Sequence, residues 1–274
     1  MKLDSRKRIL VLSSVLALVH IVLTRANLND LLNLNLPLNF LNPLILALLA
    51  YIGTAWVIYF KVKGERLFTV LMFPAISIFA FSTFVELLMP SVASGFGQFS
   101  LILSSAFVIW AFIYVVLLTV NILNAAYLQD IPLGQAARAA LFVLSLVISY
   151  VVTFLTFSSE LYLAIKIIIF FLFAMSLTYI GLWSIKINLY QKLISSLAIG
   201  FIYALGGLIL SLWPISAPYS SLVVTLVLYT CLGIALEVRD IISDWIWVEY
   251  TSLFVLILLL LGLVAEWGIN GTLI

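Results

Sequence analysis

Ile167-Ile168-Ile169-Phe170-Phe171-Leu172-Phe173-Ala174-Met175-Ser176-Leu177-Thr178-Tyr179-Ile180-Gly181-Leu182-Trp183 runs for seventeen residues without a charged side chain. A helix that is apolar on every side belongs either in the middle of a large core or across a membrane. The whole apolar run around it, 161–183, would make a helix of about 35 Å at 1.5 Å per residue, enough to cross a hydrocarbon layer of about 30 Å. Eight further runs of the same character lie at 9–24, 43–60, 67–89, 99–124, 137–158, 193–213, 221–237 and 250–267. A chain of 274 residues cannot hide nine such helices inside one another.

Composition leads to the same conclusion. Hydrophobic residues make up 65% and charged residues 9%, where soluble globular chains carry roughly 45–50% and about 25%. Lipid is therefore the expected solvent. A membrane β-barrel would alternate apolar and polar residues in short segments, whereas these runs are continuous, and a helix satisfies its own backbone. The expected fold is all-α: a polytopic transmembrane helical bundle of about nine spans, forming one helical domain over residues 1–274.

The basic residues orient it. If the first run leaves the cytoplasm, the inner segments hold Lys2, Arg6, Lys7, Arg8, Lys61, Lys63, Arg66, Arg138, Lys186, Lys192 and Arg239, eleven of the thirteen. Arg25 alone lies clearly outside and Lys166 falls within a span. Basic residues in short loops resist translocation, so the N-terminus is expected inside and Ile274 outside. Met1 to Thr24 imitates a signal peptide, but Thr24-Arg25-Ala26-Asn27 is a poor cleavage site and many spans follow, so an uncleaved first helix is expected. Pro90 to Gly97 and Trp213 to Pro218 punctuate outer turns. The outer segment Arg25 to Asn42 alternates Leu with Asn and reads as an anchored loop or a short amphipathic element.

Tyr51-Ile52-Gly53 with Trp56 recurs as Tyr179-Ile180-Gly181 with Trp183, each followed by a basic inner loop and a span closing at an outer proline, Pro90 or Pro214. Spans two to five and six to nine would then be parallel repeats, unless the small alphabet of membrane sequences produces the match by chance. Glu65-Arg66-Leu67-Phe68-Thr69-Val70-Leu71 with Pro74, and Asn121-Ile122-Leu123-Asn124 leading to Ile131-Pro132-Leu133 and Ala136-Ala137, resemble segments of uncharacterised polytopic membrane proteins from candidate-phylum bacteria. The resemblance implies a several-span protein of a bacterial membrane and carries over no activity and no site residues.

Ionisable groups at membrane depth are costly and so are candidates for function. His20, Glu86, Glu160 and Lys166 fall toward the outer ends of their runs. Lys166 lies about 7–8 Å below the outer boundary at 1.5 Å per residue. Its side chain can snorkel outward, or it can pair with Glu86 or lie near His20 in a polar site. On the inner side, Glu237, Asp240 and Asp244 stand at i, i+3 and i+7 and share a helical face. That face is similar to the acidic motifs of the membrane prenyltransferases, which also have nine spans and an N-in, C-out plan. Two departures count against it: the loop Phe60 to Arg66 is basic where that family has its first acidic motif, and one span rather than three follows the second. A solvated loop in which Arg239 pairs with its neighbours explains the same residues. Asp130 with Arg138 reads as a loop clamp. Gly200, Gly206 and Gly207, with Ala198 and Ala204, are expected to pack helices closely.

The lone Cys231 allows no intrachain disulfide and no cysteine metal site, and a net charge of +2 gives no footprint for nucleic acid. No cofactor or metal is expected. The expected partners are the lipid bilayer and other membrane proteins, and the expected place is the bacterial cytoplasmic membrane. A structural or complex-forming membrane subunit leads. A transporter of a lipid or apolar solute, and a prenyltransferase-like enzyme using 237–244, are the alternatives. The charge bias makes a prediction: cysteines placed at Ser94 and Ser216 react with an impermeant thiol reagent added outside intact cells, while those at Lys63 and Lys192 stay protected. Labelling of the second pair from outside would reverse the orientation.

Overall fold

A computed structural model describes residues 3–26, 41–58, 64–88, 96–129, 133–183, 185, 187–237 and 244–264. Among them the regular structure is helical: α1 (Leu3–Ala26), α2 (Leu41–Val57), α3 (Glu65–Leu88), α4 (Phe96–Gln129), α5 (Leu133–Ser158), α6 (Leu163–Trp183), α7 (Leu189–Ser211), α8 (Ala217–Glu237) and α9 (Asp244–Val264). Each expected apolar run coincides with one helix. Seven of the helices are long and apolar enough to cross a membrane, whereas the apolar parts of α2 and α9, Leu41–Val57 and Val248–Leu263, are shorter. That much is consistent with a multi-pass integral membrane protein.

Helix ends depart from the hydropathy boundaries for local reasons. α1 begins at Leu3 and carries Arg6, Lys7 and Arg8 within it, because a helix continues through charged residues that stop an apolar run. α5 begins at Leu133, just after Pro132, although Gly134 and Gln135 read as loop. α8 begins at Ala217 with Pro218 in its first turn, where a missing N–H removes no helical hydrogen bond. Pro74 lies inside α3, where it leaves the carbonyl one turn earlier without its usual partner.

The chain divides into two compact units, Met1–Leu144 and Ser145–Ile274, with the division inside α5. In the first, α1 packs against α2 and α4, and α3 packs against the same two, so four helices close into a ring. Ile9, Leu12 and Leu16 of α1, Leu46 and Ala50 of α2, Phe73 and Ile78 of α3, and Ile109, Ile113 and Leu117 of α4 are buried. Arg8 donates to the Trp56 carbonyl at 3.2 Å and lies over the Trp56 ring, tying the start of α1 to the end of α2. At the other end of α1, Arg25 stands over Phe99. Phe81 stacks on Phe112 at 4.3 Å between α3 and α4.

In the second unit α6 and α7 form the most intimate pair, and α8 packs against both and carries α9. Gly200 and Gly207 make that closeness possible. A Cβ at Gly207 would fall on the ring of Phe170, 2.6 Å from Cε2, and that ring is fully buried. A Cβ at Gly200 would meet the Phe171 carbonyl oxygen at 3.1 Å. Gly206, grouped with them in the sequence, has only Val227 near, at 4.0 Å, and Ala198 is exposed. Lys192 corrects one assumption: its side chain is buried, 6% exposed, in the first turn of α7. Protection there reports packing rather than sidedness, and Tyr190, 74% exposed, is the better position to label.

Candidate functional site

In hydrocarbon every polar group must find its partner within the protein. Many Ser and Thr hydroxyls in these helices do so by donating back to a carbonyl one turn earlier, whereas those of Thr178, Ser196, Ser220 and Thr225 are buried without a partner. Thr54 donates to Ala50 O at 2.6 Å, Ser77 to Phe73 O at 2.6 Å, Thr83 to Phe79 O at 2.7 Å, and Ser211 to Gly207 O at 2.7 Å. The second unit also holds a larger polar group in its core. Tyr203, fully buried on α7, shares a 2.6 Å hydrogen bond with the Ser149 hydroxyl of α5. Thr153 lies beside the Tyr203 hydroxyl and donates to Ser149 O at 2.8 Å. The Tyr203 ring meets Phe170 edge-on at 6.2 Å. This cluster is satisfied, and its effect is to hold α5, α6 and α7 in register.

The first unit holds a cluster that is not satisfied. Asn42, 3% exposed at the start of α2, donates from Nδ2 to the Leu23 carbonyl of α1 at 3.3 Å. Its amide lies beside the Glu86 carboxyl, in the last turn of α3. The Leu23 carbonyl fixes which way the amide faces. Asn42 Oδ1 and Glu86 Oε1 are left buried with no hydrogen-bond partner. His20 lies one turn before Leu23 on α1, on the stripe that buries Ile9, Leu12, Leu16 and Leu23, and is itself 0% exposed. Neither of its ring nitrogens has a partner. A buried donor or acceptor left unmade costs about 1–3 kcal/mol, so several such atoms at one end of a four-helix ring form an expensive arrangement.

The other expected residues belong to other parts of the chain. Glu160 is exposed in the short connection before α6. Lys166, half-buried in the first turn of α6, belongs to the second unit. Of the acidic face, Asp240 and the side chains of Glu237 and Asp244 lie outside the described residues, as does Asp130 of the expected loop clamp, whose other member Arg138 is exposed. Among the described residues no group of three or more His, Cys, Asp or Glu side chains comes together for a metal ion. Sequence reasoning missed Asn42, which stood at the edge of the outer segment. Its signal was an amide-bearing residue directly before Pro43 at a helix start, where Asn bonds to backbone groups. It also missed Tyr203, Ser149 and Thr153, which nothing in the spacing distinguished from other span residues.

Two apolar grooves are further places where a ligand could rest. Ser14, Leu18, Ile21, Leu103, Phe107 and Trp110 line a cavity of about 740 Å³ between α1 and α4, where Trp110 Nε1 donates to Ser14 Oγ at 3.2 Å. Ile168, Phe171, Leu172, Phe201, Leu205 and Leu208 line one of about 260 Å³ between α6 and α7.

The contrast between the two polar clusters predicts opposite signs of mutational effect. In detergent without added ligand, Tyr203→Phe lowers the unfolding midpoint, corresponding to about 0.5–1.5 kcal/mol, because it strands the Ser149 hydroxyl. His20→Leu raises the midpoint, because it removes buried groups that bond to nothing. A His20→Leu protein less stable than wild type would show that the imidazole is satisfied. Compared with known proteins, the chain matches no family model, no curated protein and no solved structure.

Proposed function

We propose that the chain is a complex-forming subunit of a bacterial cytoplasmic membrane, spanning it nine times with its N-terminus inside and its C-terminus outside. The observation that supports the role is the pair of apolar grooves that run between neighbouring helices, α1 with α4 and α6 with α7. Large apolar side chains rim them: Leu18 is 62% exposed, Phe107 65% and Phe201 60%. In lipid there is no hydrophobic drive to bring helices together, so association depends on complementary surfaces into which another side-chain ridge can pack. Grooves along helix pairs are such surfaces. The charge bias of the loops supports the orientation. α2 and α9 support the count of nine: a 17-residue helix such as α2 is at the short end of the lengths that span a bilayer, about 17–25 residues.

The size of the α1–α4 groove favours one second function, transport or holding of a lipid or apolar solute. About 740 Å³ falls within the range of pockets that enclose small molecules, roughly 300–1,000 Å³. The prenyltransferase-like alternative gains no support from the described residues, since the acidic face lies outside them.

Photo-crosslinking residues placed at Leu18, Phe107, Leu172 and Leu205, with Leu48 and Leu256 as apolar controls outside the grooves, separate the two. A subunit gives protein adducts of one reproducible mass in cells from the groove positions, and only lipid adducts from the controls. Lipid or solute adducts alone from the groove positions would replace the subunit by the carrier.

A further inference from the structure

We infer that the end of the four-helix unit where α1 and α3 finish and α2 and α4 begin is a binding site for a primary ammonium group, held by Glu86, Asn42 and His20. The inference begins from the inventory of unmade hydrogen bonds. Asn42 gives a donor to the Leu23 carbonyl, lies beside Glu86, and keeps an unused acceptor, Oδ1. Glu86 keeps Oε1 unused, and His20 keeps both ring nitrogens. A neutral imidazole presents one acceptor and one donor. Three acceptors are therefore waiting, from three helices of one ring. A primary ammonium carries three donors and no acceptor, and its charge is opposite to that of the Glu86 carboxylate.

Other ligand classes fit less well. An anion would meet a carboxylate and an amide oxygen. A hard metal cation takes roughly six or more oxygen ligands, whereas only two side-chain oxygens are free here and the third group is an imidazole. A quaternary ammonium has the charge but no N–H to give. Water could bridge the same atoms, but it would leave the carboxylate's charge unmatched in a setting where charge is costly. Glu86 is half-buried in the last turn of α3, whereas Asn42 and His20 are enclosed, so the proposed ligand would enter from the Glu86 side. The ammonium can come from a free amine in solution or from the head group of an aminophospholipid. The site rests on side-chain contacts within the first unit alone and stands whether the chain proves to be a subunit or a carrier.

The test uses the full chain in nanodiscs of phosphatidylcholine at constant pH and ionic strength, with the unfolding midpoint followed by tryptophan fluorescence. Ethanolammonium chloride raises the midpoint saturably, while choline chloride and sodium chloride at equal concentration do not. Glu86→Gln, which keeps the shape and removes the charge, weakens the response roughly tenfold or more, as expected for a charge-assisted hydrogen bond. Glu86→Asp, which withdraws the carboxylate by one methylene, gives an intermediate affinity and serves if the Gln variant does not fold. In phosphatidylethanolamine nanodiscs a midpoint that is already raised and no longer responds identifies the lipid head group as the source; an undiminished response identifies a free amine. Equal midpoints with ethanolammonium, choline and sodium, or a full response in Glu86→Gln, would overturn the assignment.

Discussion

A buried polar group without a partner is the most costly thing a helix bundle in lipid can contain, and most of this molecule can be understood as the avoidance of it. The backbone closes its hydrogen bonds within each helix. Hydroxyls such as those of Thr54, Ser77 and Ser211 return theirs to the preceding turn, while single hydroxyls at Thr178, Ser196, Ser220 and Thr225 go unmatched. Where a larger polar side chain enters a core, it brings partners with it: Tyr203 is met by Ser149 and Thr153. Against that economy, the unmet atoms of His20, Asn42 and Glu86 stand out as a concentration of tolerated cost. Sites that bind something are where such a cost persists, because the ligand removes it.

Packing follows from the same solvent. Lipid tails are as apolar as leucine, so helices gain little by merely hiding apolar faces from their surroundings and associate through close van der Waals fit. Gly207 against the Phe170 ring, Gly200 against the Phe171 backbone and Gly233 against Tyr250 are the places where α6, α7, α8 and α9 achieve that fit. In the first unit, aromatic stacking and arginine contacts take the same part, through Phe81 on Phe112 and Arg8 on Trp56. The grooves on α1–α4 and α6–α7 are where the fit is left incomplete, which is why they are the natural seats for a partner helix or an apolar ligand.

The helices were legible in the sequence because an apolar run of span length has essentially one solution in lipid. Their ends were less so: hydropathy ends where charge begins, while the helix of α1 runs on through Arg8 to Leu3 and that of α5 starts as early as Leu133. His20 and Glu86 could be singled out because ionisable residues in apolar runs are rare. Asn42 could not, since an amide at the edge of a Leu- and Asn-rich segment looks like loop, and only the fold brings it against Leu23 and Glu86. Lys192 shows the converse limit: charge suggested an exposed loop residue, and packing buries it. Among the glycines, type and spacing indicated close helices but could not say that Gly207 meets a ring while Gly206 does not.

The whole account rests on lipid being the medium around the exposed apolar faces. Spin labels at Leu18, Leu48, Val108, Leu172 and Ile202, all exposed positions away from the helix ends, measure that directly in reconstituted bilayers. The account predicts relaxation enhanced by dissolved oxygen and almost unaffected by a water-soluble nickel chelate at every one of them. Strong relaxation by the nickel chelate at these positions would place the faces in water and contradict it.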